Sequence, residues 1–204
     1  MGATTHRRTV PSQSGRLEVT TDRGQRLAAG HQAGLSVSRA DGLPTAARYL
    51  MAGLRIALGW VFLWAFLDKA FGLGRATPTE GAWFDGGSPT EGFLANAPTG
   101  PLAGTFNAIA GAAWADWLFM LGLAGIGTAL LLGIGSRVAT VAGAAMLLLM
   151  WAAVLPPANN PVVDDHLVYA GLLFLLLLLG AADVVGLGRT WKALPLVRRF
   201  PVLR

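Results

Sequence analysis

An all-α fold is expected for this chain: a four-helix transmembrane bundle with a long outside loop between the first and second helices. Three observations carry that expectation. Hydrophobic residues make up 53% of the 204 residues and charged residues only 13%, against about a quarter charged in an ordinary soluble domain. The mean hydropathy is +0.52. The chain also holds four apolar runs, near Tyr49–Phe71, Trp117–Ile134, Val138–Leu155 and Leu167–Leu187, and a spanning helix needs about 20 such residues. Finally, basic residues gather on alternate sides of those runs, which is the signature of membrane insertion.

The elements follow in order. Residues 1–48 are rich in Arg, Gly, Ser and Thr and lack a sustained apolar period, so they read as a disordered basic tail. "HRRTVPS" has a twin arginine, but no apolar segment follows it closely, and no cleaved signal is expected. Residues 49–188 form the membrane domain. Its first run is "LRIALGWVFLWAFLDKAFG", with Arg55 near one end and Asp68 and Lys69 near the other. The loop from Gly72 to Asp116 carries Trp83, Phe84, Phe93 and Phe106. In it, Ser88 or Thr90 before Glu91 looks like a helix cap, and "PLAGTFNAIAGAAWADW" suggests a short helix leading into the second span. The second and third runs are dense in small residues, among them Gly122, Gly125, Gly127, Ala139, Gly143 and Ala144, which lets membrane helices approach closely. Residues 189–204 form a basic C-terminal segment.

The charges set the orientation. Arg7, Arg8, Arg16, Arg23, Arg26, Arg39 and Arg48 precede the first run. Arg137 lies between the second and third, and Arg189, Lys192, Arg198, Arg199 and Arg204 follow the fourth. The alternate loops carry Glu80, Asp85, Glu91, Asp164 and Asp165 against the single base Arg75. Both termini are therefore expected in the cytoplasm.

A membrane helix keeps a charge only for a reason, because one at the bilayer centre costs about 2.5–3.5 kcal/mol on insertion scales. On a helical wheel Arg55, Gly59, Phe62, Phe66 and Lys69 share a stripe. On the fourth helix Asp165, Tyr169 and Asp183 share a face, and Asp183 reaches nearly the depth of Arg55. An Arg55–Asp183 ion pair follows as an expectation, with Arg137 as a competing partner. Snorkelling of Arg55 to lipid phosphates is the alternative. At the opposite end Asp68, Lys69, Asp164, Asp165, His166 and Tyr169 are candidates for one polar pocket. Histidine titrates near neutral pH and passes protons. A quinone head needs hydrogen-bond donors and a proton route, and Tyr, His and Lys beside apolar helices offer both. Asp164 or Asp165 also suits a helix cap.

Composition excludes several chemistries. The chain has no cysteine, so an internal disulfide, a cysteine-ligated iron–sulfur cluster, a covalently attached haem and a catalytic thiolate are ruled out. Of its three histidines, His6 and His31 lie in the tail, which leaves His166 alone in the membrane body and no bis-histidine haem. No metal is expected. The net charge of +5 follows the insertion pattern and does not form a nucleic-acid patch.

Four stretches, "LRIALGWVFLWAFLDKAFG", "TEGFLANAPTGP", "ALLLGIGSRVATVAG" and "NNPVVDDHLVYAGLLFLLLLLGAADVVGLGRTW", resemble the DoxX family of bacterial membrane proteins, and within it the DoxD-like branch. The resemblance covers residues 48–192. It implies a four-helix bundle in the bacterial inner membrane. It further implies a membrane subunit of a thiosulfate:quinone oxidoreductase, which joins two thiosulfates into tetrathionate and passes electrons to quinone. By position it points to Arg55, Gly59, Lys69, Asp165, His166 and Asp183. On this reading Lys69, Asp165 and His166 act on the substrate, Tyr169, Arg55 and Asp183 serve the quinone, and a soluble redox subunit and membrane lipid are the partners. Some relatives carry an acid in the second helix where this chain has Leu123. The rival expectation is a non-catalytic scaffold that recruits soluble redox enzymes.

Overall fold

The computed structural model describes residues 1–2 and 39–204. His6, His31 and the arginines from Arg7 to Arg26 lie outside the described residues, as does the expected tail up to residue 38. Among the described residues the structure is helical, with no strand. Four helices dominate it: α1 (Thr45–Phe71), α2 (Ala113–Leu132), α3 (Ser136–Ala153) and α4 (Asp165–Leu178). The first three are long and apolar enough to cross a membrane. α4 is equally apolar but has 14 residues, which is about 21 Å of helix.

The helices pack in sequence. α1 lies on α2, α2 on α3, α3 on α4, and α4 also touches α1. Their shared core includes Leu58, Phe62, Met120, Ile126, Leu147 and Leu173. Small residues set the closest approach. A Cβ on Gly59 would stand 2.9 Å from the Leu131 nitrogen, and one on Gly127 would stand 2.6 Å from the Leu63 nitrogen. Gly143 admits Leu173 and Ile126 in the same way, whereas Gly125 faces open space. Without a strong hydrophobic force between helices in lipid, such backbone contact is what holds them.

Two boundaries differ from expectation. α1 begins at Thr45, ahead of Tyr49, and Ala40 before it is buried in the core, so residues 39–48 belong to the body and not to the tail. The fourth run is not one helix. Gly180 takes a left-handed φ of 73°, a conformation that glycine adopts without penalty and that ends helices. A 3-10 turn, Ala181–Asp183, follows. Non-helical backbone at membrane depth persists only where protein satisfies it, and this segment is covered: Ala181 and Ala182 are buried.

The segment between α1 and α2 folds into short pieces, including helices Glu91–Asn96 and Ala103–Asn107. Glu91 N–H donates to Ser88 Oγ at 3.2 Å, so Ser88 supplies the oxygen expected of a cap there. Beyond α4 come short helices Gly188–Ala193 and Pro195–Arg199 and a 3-10 turn, Pro201–Leu203.

Candidate functional site

Arg55 meets α2 where that helix ends. The residue is 3% exposed, so it does not snorkel. Its Nη1 donates to the carbonyls of Leu130 and Leu131, and its Nη2 to that of Val185. These acceptors have a common origin. The last carbonyls of a helix lack intrahelical donors, and the break after α4 frees more. The planar guanidinium fork suits several acceptors at once, and a cation favours the negative end of the α2 dipole. Leu187 N–H adds a bond to the Leu132 carbonyl at 2.8 Å. Arg55 therefore ties the end of α2 to the irregular segment after α4.

The expected Arg55–Asp183 pair does not form among the described residues. Asp183 accepts from Lys192 Nζ at 2.7 and 2.8 Å. The face-sharing argument failed because α4 ends before Asp183, so the helical register joining Asp165, Tyr169 and Asp183 is broken. Arg137 is engaged elsewhere, donating to the Pro201 carbonyl at 3.0 Å. Arg189 bonds the Asp183 carbonyl and the Asp41 carboxylate.

The opposite end holds the start of α4. Asp164 is its N-cap, accepting from Leu167 N–H at 3.3 Å. The same carboxylate lies 2.8 Å from His166 Nδ1. A carboxylate only accepts, so Nδ1 carries the proton and Nε2 is the nitrogen free for exchange. Asp165 stands 3.6 Å from the same Nδ1 but is mostly exposed. Burial pushes the Asp164 carboxyl up. The hydrogen bonds from His166 and Leu167 outweigh that push and hold it below its ordinary value. Tyr169 is three residues on from His166, on the same helix face, half-buried against the core. Asp164, Asp165 and His166 place ligand-type atoms within 4.8 Å of one another, an arrangement that the cap already explains.

Lys69 stands apart from that trio. It borders a cavity of about 790 Å³ between the α2 and α3 faces and the α1–α2 segment. Asp165, His166 and Tyr169 do not line this cavity. Asp68, beside Lys69, is buried, and its carboxylate accepts from the N–H groups of Arg75 and Ala76 at 3.1 and 3.0 Å. It thereby pins the turn after α1.

Asp116 went unnoticed in the sequence. It is buried in the first turn of α2 and accepts from Ser88 Oγ, Thr90 N–H and Thr90 Oγ1 at 3.0, 3.0 and 2.6 Å. Those bonds fasten the α1–α2 segment over the cavity. Asn107 Nδ2 adds bonds to the carbonyls of Leu94 and Ala95. The signal was available: a carboxylate at a helix start, with Ser and Thr in the preceding loop.

Comparison of the chain with protein families, with curated proteins and with solved structures returns no match.

Proposed function

We propose that this chain is a multi-pass subunit of the bacterial inner membrane with both termini in the cytoplasm. On this reading α1 to α4 form a four-helix bundle of the DoxX type, resembling the DoxD-like branch, associated with oxidation of thiosulfate and reduction of quinone. The observation that carries the reading is the Asp164–His166 couple beside Tyr169. Two thiosulfates joining through one S–S bond release two electrons. A quinone that takes those electrons also takes two protons. A histidine oriented by a carboxylate is suited to deliver them through Nε2, and Tyr169 adds a hydrogen-bond donor one helical turn away.

Arg55 and Asp183, first placed at the quinone, serve the backbone at the other end in this account. The electrons pass through a soluble redox partner that docks on the membrane subunit. The test is a pair of variants in the purified complex. His166→Gln is expected to lower quinone reduction about a hundredfold, the lower range of general acid–base contributions. Tyr169→Phe should raise KM for quinone. Wild-type turnover in His166→Gln would overturn the reading.

One observation favours the scaffold alternative. Arg198 and Arg199, adjacent in the chain beyond α4, are both exposed, and basic residues there suit docking or acidic lipid. Removing residues 1–38, which lie outside the helical body, and reading partner retention against turnover separates the two: a scaffold loses its partners, an enzyme keeps its rate.

A further inference from the structure

The cavity beside Lys69 has features that the redox reading does not use. Its lining contains one charged side chain, Lys69, with Thr90 and Thr105 as minor polar contributors. The remainder is apolar. No described residue accepts a hydrogen bond or ion pair from the Lys69 ammonium, and the neighbouring Asp68 carboxylate is taken by two backbone N–H groups. Asp68 is the one carboxylate close enough to act on that ammonium, and it does not line the cavity, so a cation at the end of an otherwise apolar space favours an anionic partner there.

The shape indicates what kind of anion. On α2 the lining runs from Ala115 to Ile126, and on α3 from Ala153 back to Ala142. Each stretch is about 16 Å of helix. One leaflet of a bilayer core is half of about 30 Å. Lys69 lies at the end of α1 where α2 begins and α3 finishes, so the cation sits at the headgroup end and the trough descends one leaflet. The α1–α2 segment roofs the headgroup end, fastened by Asp116. The volume falls in the range of about 300–1,000 Å³ typical of ligand sites.

We infer that this trough is a lipid site, taking an amphiphile whose anionic head meets the Lys69 ammonium and whose acyl chain lies between α2 and α3. The head chemistry is a single anionic oxygen group, carried by an acidic phospholipid or by a free long-chain carboxylate. The site is independent of the His166 couple, and its failure leaves the redox reading untouched.

Native mass spectrometry of the full chain, reconstituted with phosphatidylglycerol, oleate or chain-matched phosphatidylcholine, tests it. Wild type should retain one anionic amphiphile per chain and release phosphatidylcholine. Retention of phosphatidylglycerol alone assigns the phospholipid source, and of oleate alone the free carboxylate. Lys69→Gln should lower anionic retention at least about fivefold, roughly the worth of one lysine at an acidic headgroup. Lys69→Arg should keep it. Ala145→Phe, which fills the trough, should lower it with the charge intact. Equal retention of all three probes by wild type, or unchanged retention in Lys69→Gln, means an unspecific lipid annulus and overturns the site. Should Lys69→Gln fail to run as a single species in gel filtration, the wild-type comparison of phosphatidylglycerol with phosphatidylcholine decides alone.

Discussion

Arg55 shows how one buried cation answers several buried carbonyls. The acceptors come from two elements, the end of α2 and the chain after α4. Removing the guanidinium leaves those carbonyls without donors, at about 1–3 kcal/mol each. Arg55→Ala should therefore destabilise the protein by about 3 kcal/mol or more, read as thermal unfolding in detergent. Arg55→Lys should recover only part of this, because an ammonium lacks the fork. Asp183→Asn, which weakens the bond to Lys192 and leaves the Arg55 guanidinium on its carbonyls, should cost less than Arg55→Ala; equal costs would mean that the two residues act as one unit. Asp164 has a different signature. Its folded carboxyl lies below the ordinary value of 3.8. Its contribution is therefore complete above that pH and disappears as pH falls through the lower folded value. Asp164→Ala should cost about 1 kcal/mol near neutrality, and the difference between variant and wild type should vanish in strong acid. A difference constant down to the lowest pH would remove Asp164 from the cap.

The helices were legible in the sequence where their physics was local. Runs of apolar residues gave three spans of the right length, and the small residues of α2 and α3 were expected at packing contacts. Gly127 and Gly143 are there, and Gly125 is not. That contrast is testable. Gly127→Ala places a methyl against the Leu63 backbone and should cost about 1–3 kcal/mol, whereas Gly125→Ala meets nothing and should be neutral or slightly stabilising. Circular-dichroism melting of the two variants checks it. The fourth run was misread because hydropathy continues past Gly180 while the helix stops. The Leu-rich sequence hid a glycine stop, and the Arg55–Asp183 pairing inherited the error. The cavity was invisible for another reason. Apart from Lys69 it is lined by consecutive stretches, the segment before α2, then α2 and α3, and no periodicity reports the space they leave between them. Lys69 could be seen on the α1 stripe, but not that its surroundings are apolar and apart from His166.

At the scale of the whole molecule, the described body has two unlike ends. At one, Arg55 ties the end of α2 to the segment after α4, and Lys192 holds Asp183 within that segment, a structural assignment. At the other, a proton-capable couple sits at the start of α4, and a roofed apolar trough opens beside Lys69. The proposed redox work belongs to the His166 couple at this second end, together with a soluble partner. The most direct test is thiosulfate-dependent quinone reduction by the complex purified from native membranes with its partners retained. Turnover is expected, falling about a hundredfold in His166→Gln and persisting in Arg55→Lys preparations that remain folded. A complex that retains its soluble redox partner yet shows no thiosulfate-dependent turnover would contradict it, and would leave this chain a membrane scaffold.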